Sequence, residues 1–391
     1  MPTVEISFII PVFNAGEMLA RCVSSIQKQD IAEKFEIIVV DNGSTDGAVE
    51  QIEAGGVRVV RESVKGAASA RNLGIKESCG RFLAFLDADI ELDPNWAREC
   101  AAMLRSPWID CVQSPIVPDC LRGTRMRSLR EAFISFKTKG TFNYLNRSID
   151  GLPVVNSAAF MMRKALIESR SLQFDPQLLR CEDLDFSYQL FFRGCSFATV
   201  STTQARVFDT RGIFAYLRRS FWTGYYTAGV RALWRVSGVV RFRDRVRGLS
   251  SLVWQPSGFV FIYFNFLATY LGELVGTRAF TSATSAVIRR AEPDHKNSLL
   301  LRLYLKGQNT EFALSPLVRW VRLDESWMMI DVASGKRIRF EGKNAERIER
   351  ILTEGAGSSK AIEISGLHEM DLVRDMCTKN FLISAHGQAT A

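Results

Sequence analysis

Asp87 and Asp89 flank a single alanine at the end of an apolar run, Phe82 to Leu86. At that spacing both carboxylates can converge on one hard divalent cation. Mg2+ or Mn2+ prefers such oxygen ligands together with phosphate oxygens. Two acids after a strand can equally be a solvated turn, so the pair gains meaning only from its company. Asp41 ends a second apolar run, Phe35 to Val40. It can accept hydrogen bonds from a nucleobase or a ribose. It also opens the turn Asp41-Asn-Gly-Ser-Thr-Asp46, in which Ser44 or Asp46 can cap a helix, and both roles can hold together. Lys65-Gly66 and Arg71-Asn72 flank a run of small residues, Ala67 to Ala70, that permits close backbone approach. Arg71 suits a diphosphate or ribose contact, or a plain surface position. Glu182 and Asp183 open a helix-like segment. A carboxylate there can deprotonate a hydroxyl or thiol nucleophile, or simply complement the helix dipole.

The elements that must position these residues follow from hydrophobic patterning. Strands are predicted at Ile6 to Val12, Phe35 to Val40, Val57 to Val60 and Phe82 to Leu86, with helices at Glu17 to Gln29 and Ala67 to Lys76 between them. Continuous apolar strands alternating with helices imply a parallel sheet covered on both faces. Ligands bind such sheets at the carboxyl ends of the strands, where Asp41 and Asp87 both sit. Further strands are predicted around Asn156 to Arg163 and Phe197 to Val200.

Arg211 to Arg247 is strongly basic, and Gly258 to Gly276 is the most apolar stretch, interrupted by Asn265 and Glu273. A spanning helix needs ~20 apolar residues, and a charge inside it is costly, so an interfacial or packed helix is expected. Past Ala291 the character changes. Strand-like pieces at Leu317 to Leu323, Trp327 to Val332 and Arg337 to Phe340 surround a Ser334-Gly335 turn. Helix-period segments follow at Ala345 to Thr353 and His368 to Lys379.

The 391 residues are too many for one ordinary core. A net charge of +8 calls for an anionic partner, either a phosphorylated substrate or a membrane surface. No nucleic-acid module accompanies the arginines, and nucleic acid is not expected. The eight cysteines lack any C-x-x-C pair and read as free thiols of a reducing compartment. The start of the chain lacks signal-peptide character, so a cytoplasmic protein is expected, peripheral at most to the inner face of the membrane.

Ser7-Phe-Ile-Ile-Pro-Val-Phe-Asn14, Val39 to Asp46, Gly66 to Gly74, Phe85-Leu-Asp-Ala-Asp89 and Glu182-Asp-Leu-Asp185 stand in this order. In sequence and spacing they resemble the family 2 glycosyltransferases of the GT-A fold, over about residues 4–215. The resemblance implies an α/β, Rossmann-like nucleotide-diphosphosugar transferase domain over 1–215. It implies inverting transfer from a UDP-sugar or other nucleotide sugar. Pro11, Asn14, Asp41, Lys65, Arg71, Asp87, Arg218 and Arg219 would lie around the donor. Asp87 and Asp89 would hold the metal, and Asp183, with Glu182 beside it, would be the base. The family often places a metal or phosphate ligand in a Val-x-His pattern. Here Val207-Phe-Asp209 puts Asp209 in that position, which leaves the metal's full ligand set open. No Gln-x-x-Arg-Trp motif is present, so a processive polysaccharide synthase is not expected.

After a basic and apolar helical region at 216–297, residues 298–391 read as a small winged-helix-like α+β domain. Leu314 to Arg322, Met329 to Gly335 and the helix from Asn344 to Leu352 resemble the PqqD-like fold. That resemblance implies capture of a precursor peptide as an added strand, so that the sugar acceptor is a Ser, Thr or Cys side chain of a ribosomally made peptide. A plain accessory or dimerisation domain is the alternative, and a homodimer is left open. A membrane-associated enzyme acting on a lipid-linked or envelope glycan is a second reading. A non-catalytic sugar-binding or scaffold protein is a third, disfavoured by the intact acidic set.

Overall fold

A computed structural model describes residues 4–52, 56–107, 109–119, 146–147, 153–208, 213–234, 256–283, 302–305, 310–314, 318–323, 326–331, 337–354, 362–364, 376 and 382–384. The chain forms two compact units. One comprises 1–102, 113–188 and 200–291, and the other 103–112, 189–199 and 292–391. Two short segments of the first two hundred residues thus group with the C-terminal quarter.

In the first unit, strand Ile6–Val12 pairs in parallel with Phe35–Asp41 on one side and Phe82–Leu86 on the other. Arg58–Arg61 extends the parallel set beyond Phe35–Asp41. The first three of these strands are mainly apolar and buried, as expected for a sheet covered on both faces, whereas the outer Arg58–Arg61 is only partly covered. The parallel pairing expected of these four strands holds, and Ala159–Arg163 extends the sheet antiparallel to Phe82–Leu86. A buried apolar strand reads the same in either direction, so its sequence carries no sign of orientation. Helices Glu17–Gln27 and Ala67–Glu77 connect the parallel strands. The core between sheet and helices is aromatic. Phe85 stacks on Phe160 at 4.9 Å, and Phe174 stacks on Phe186 at 4.2 Å. Each such ring contributes roughly 1.5–3 kcal/mol through burial. A smaller sheet, Ile90–Leu92 and Ile116–Asp119 on either side of Ala205–Phe208, begins directly after Asp89.

The same unit contains a long helix pair, Ile213–Leu233 and Pro256–Ala283. Their axes approach closely because glycines face backbone. A β-carbon at Gly224 would collide with the carbonyl of Thr269, and one at Gly272 with that of Phe221. Asn265 donates to Ser220 Oγ at 2.9 Å, and buried Glu273 lies 3.8 Å from buried Arg231. The polar residues that interrupt the apolar stretch therefore point at the partner helix. No helix among the described residues is long and apolar enough to cross a membrane.

In the second unit, Phe197–Thr199 pairs in parallel with Val318–Leu323. That strand continues as an antiparallel meander through Ser326–Asp331 to Arg337–Phe340. The amphipathic helix Lys343–Glu354 buries Ala345 and Ile348. A separate four-stranded sheet has the order Ile362–Ile364, Arg302–Leu305, Thr310–Leu314, Leu382–Ser384. The predicted Ser334-Gly335 turn lies outside the described residues. Of His368 to Lys379 only Met376 is described, helical and buried.

Candidate active site

Two loops meet at the carboxyl ends of the first two strands. Asp41 is buried, and its Oδ1 accepts the amide of Ser44 at 2.8 Å, so it closes its own turn. Asn14, at a left-handed φ of 51°, accepts the amide of Thr45 through Oδ1 at 2.8 Å, and its own amide donates to Ser44 Oγ. Asp46 accepts from the amides of Gly16 and Ala48, and the Gly16 bond first of all holds its carboxyl below the usual range. Pro11 sits beside Val40 in the ladder below these loops. Lys65 reaches the Asn42 carbonyl at 3.3 Å and lies 4.7 Å over the exposed ring of Phe13. Pro11, Asn14, Asp41 and Lys65 thus gather at one rim.

Sequence reasoning missed Asn42. Its buried amide donates to the carbonyls of Glu62 and Val64 and accepts the Gly66 amide at 2.7 Å. This one side chain ties the Asp41 turn to the loop preceding Ala67–Glu77. An amide directly after a strand-end acid was the only available signal.

Arg71 is the hub of the site. It is only 2% exposed, and it places Nη2 2.7 Å from Asp87 Oδ1 and Nη1 2.8 Å from Glu182 Oε1. Its guanidinium also lies 5.4 Å from the Phe174 ring centre. Burial opposes its charge, but the facing Asp87 and Glu182 carboxylates more than restore it, so its pKa lies above the ordinary value. Both terminal nitrogens are committed to carboxylates.

The Asp87 side chain is 41% exposed, so it is open to solvent while anchored to Arg71. The backbone of Asp89 is fixed by the Phe208 amide, which donates to its carbonyl at 3.0 Å. Beneath this turn, burial and then the charges of Asp89 and Asp87 push the Cys22 thiol well up. Among the described residues no three His, Cys, Asp or Glu side chains converge into a metal cage. Two strand-end carboxylates nevertheless suit a Mg2+-type ion, which takes one or two protein carboxylates and completes its shell with water and phosphate oxygens. Asp209 lies outside the described residues.

Glu182 and Asp183 open the helix Glu182–Phe192. Asp183 keeps part of its residue surface open, while protein packs closely around its carboxyl. Desolvation pushes that carboxyl up to about 7, and the neighbouring Glu182 charge adds to the rise. Arg71 and the amide of Leu184, 2.8 Å from Oδ1, pull the other way. An acid that titrates near neutrality is suited to exchange a proton with a hydroxyl or thiol. Arg218 and Arg219 are exposed on the helix Ile213–Leu233.

The fold and this rim define an α/β domain whose acidic side chains gather at the carboxyl ends of its parallel strands. Residues 7–170 match the model described as Glycosyl transferase family 2. Over 118 residues the chain is 32% identical to Glycosyltransferase AglE of Haloferax volcanii, covering 27% of this chain and 38% of that protein. Over 204 residues it is 24% identical to poly(ribitol-phosphate) beta-N-acetylglucosaminyltransferase TarS of Staphylococcus aureus, covering 50% of this chain and 34% of TarS. The chain therefore spans little more than a third of the length of either relative. Among solved structures, mannosyltransferase PcManGT from Pyrobaculum calidifontis, in complex with GDP-Man and Mn2+, aligns with a TM-score of 0.47 at 17% identity. That alignment covers 70% of this chain and 88% of the other.

Proposed function

We propose that the chain is an inverting glycosyltransferase that moves a hexose or N-acetylhexosamine from a nucleotide sugar to a Ser, Thr or Cys side chain of a ribosomally made peptide. The observation that carries the reading is the buried Arg71 bridge, which joins Asp87 on the donor side to Glu182 beside Asp183 on the acceptor side. In this reading Asp41, Asn14 and Lys65 receive the nucleotide. Asp87 and Asp89 hold Mg2+ or Mn2+, which when bound offsets charge on the diphosphate. Asp183 takes the proton of the acceptor hydroxyl or thiol. The acceptor atom bonds to the anomeric carbon as the bond to the diphosphate breaks, and the nucleoside diphosphate leaves with the electron pair.

The peptide part of the reading rests on the outer strand Arg337–Phe340. It pairs with Ser326–Asp331 and, among the described residues, is the terminal strand of its sheet. An open edge of this kind accepts an extended peptide by strand addition. The test is incubation with a panel of UDP- and GDP-sugars and Mn2+, alone and with any small Ser-, Thr- or Cys-containing peptide found encoded beside the gene. Nucleotide release and a mass increase on the peptide of one hexose or one N-acetylhexosamine are expected. No nucleotide release from any donor overturns the transferase reading.

A second reading, a membrane-linked acceptor, is favoured by one observation. Val260, Tyr263, Phe264, Leu271, Leu274 and Val275 are exposed on the helix Pro256–Ala283. Such a face, with Arg218 and Arg219 on the partner helix, suits an anionic lipid surface. Sedimentation with phosphatidylglycerol vesicles that resists high salt would support it over the peptide reading.

A further inference from the structure

The helix that starts with Glu182 and Asp183 is gripped at two points by the helix Ile213–Leu233 and the residue that follows it. The first point precedes the acids. Cys181 adopts a left-handed φ of 60°, which turns the chain sharply into the helix. Its Sγ lies 3.7 Å from both the carbonyl of Thr223 and Oγ1 of Thr227. The second point follows the acids. Asp185 is completely buried, and its Oδ1 accepts the indole N–H of buried Trp234 at 2.8 Å. One turn further on, Tyr188 meets the edge of the same indole, with ring centres 6.1 Å apart at 70°.

Positions 185 and 188 lie on one helix face, because residues three apart are neighbours. Position 183 is about 200° round the helix from 185, so Asp183 points away from the Trp234 side. Arg71 holds the preceding residue, Glu182, through its carboxylate. The rotation of the Asp183 turn about the helix axis is therefore fixed from three directions: by Arg71, by Thr223 and Thr227, and by Trp234. A buried carboxylate needs a donor to be tolerated, and here the indole supplies one.

We propose that Asp185 and Trp234 are positioning residues, which set the angle at which Asp183 meets the acceptor. The helix pair that carries Trp234 thereby belongs to the catalytic apparatus. This inference rests on Asp183 acting as the base. Catalysis is sensitive to small misplacements of such a group, whereas donor binding at the strand ends lies on other elements. Loss of the bond should therefore lower kcat and leave donor affinity alone.

The test compares the full-length enzyme with Trp234→Phe, which deletes the N–H and keeps a ring against Tyr188, and Asp185→Asn, whose carbonyl oxygen can accept the same bond. Thr227→Val provides an independent change at the first point. Steady-state transfer, or donor hydrolysis where no acceptor is yet known, is measured with Mn2+ and the donor that the wild type turns over. Trp234→Phe is expected to lower kcat by about 10- to 100-fold, with the donor KM within twofold, and Asp185→Asn to retain most of the rate. Thr227→Val should lower kcat less, again without moving the donor KM. Equal kcat in Trp234→Phe and the wild type overturns the inference. So does a fall in donor affinity parallel to the fall in kcat, which signals general loosening, or an Asp185→Asn loss as deep as that of Trp234→Phe. If Trp234→Phe does not fold, the Thr227→Val and Asp185→Asn results decide by the same criteria. Wild-type protein that turns over no donor overturns the transferase reading, and this inference with it.

Discussion

Arg71 and Glu182 are 111 residues apart in sequence and 2.8 Å apart in the folded chain, and the other arm of the same guanidinium holds Asp87. One buried cation thus sets the distance between two carboxylates from different elements. Removing it strands Glu182, which is only 15% exposed, without its counter-ion. Arg71→Met is expected to cost about 3–5 kcal/mol, the usual penalty for breaking a buried pair from one side. Arg71→Lys keeps the charge but cannot span both carboxylates with a planar fork. It should fold, at a lower urea midpoint, and lose most transfer activity. Urea unfolding and turnover on the same preparations check both outcomes.

Asp89→Ala should separate cation-dependent donor binding from folding. Asp89 is a half-buried residue just before the strand Ile90–Leu92, and its backbone is held by the Phe208 amide. The variant is therefore expected to have the wild-type unfolding midpoint without ligands. A donor present with Mn2+ at a hundredfold excess over its Kd stabilises a binding protein by about 2.7 kcal/mol. Thermal unfolding with and without Mn2+ should show that gain in the wild type and not in Asp89→Ala. Transfer should fall roughly 10²–10³-fold, the scale of losing one electrostatic contact to developing charge. A full ligand-induced shift in the variant would remove Asp89 from the metal's ligands.

The raised carboxyl of Asp183 predicts two opposite pH trends. A base must be ionised, so transfer should rise with pH through about 7 and level off above it. Stability should go the other way. Between the ordinary value of 3.8 and about 7 the folded protein keeps a proton that the unfolded chain has released, so stability falls as pH rises across that window. Asp183→Asn should abolish most transfer and flatten this part of the stability profile. Urea midpoints at a series of pH values from 4 to 8 test the second trend without any substrate.

Much of the strand-end rim was legible in the sequence because it is built from local signals. Strands Ile6–Val12 and Phe82–Leu86 fall where the apolar runs place them, and Asp41 and Asp87 lie at strand ends. The role of Arg71 was not legible. A single arginine among alanines looks the same on a surface as in a core, and only the return of the chain at Glu182 decides between them. The apolar stretch around Asn265 and Glu273 was likewise ambiguous. Its polar residues look like defects in a membrane segment until Ser220 and Arg231 on the other helix are seen to face them. Asn42 escaped notice because its three hydrogen bonds reach residues twenty or more positions away.

The glycines of the helix pair give the last prediction. In an exposed helix, Gly→Ala stabilises by about 1 kcal/mol, because alanine has the higher helix propensity. At Gly272 the new β-carbon would strike the carbonyl of Phe221, and at Gly224 that of Thr269. Both obstacles are backbone, which cannot swing aside as a side chain can, so the helices must separate. Overpacking of this kind typically costs 1–3 kcal/mol, occasionally more, and separation also loosens the bond between buried Asn265 and Ser220. Gly272→Ala is therefore expected to lower the unfolding midpoint in spite of its better propensity. Val275→Ala, three residues along and half-exposed, should move the midpoint far less. Because the first helix also carries Thr223 and Thr227 against Cys181, Gly272→Ala should slow transfer at temperatures where the protein is still folded. Circular dichroism melts of the three proteins, with turnover measured well below the lowest midpoint, decide both points. A Gly272→Ala midpoint at or above that of the wild type would mean that the two helices do not pack this closely in solution.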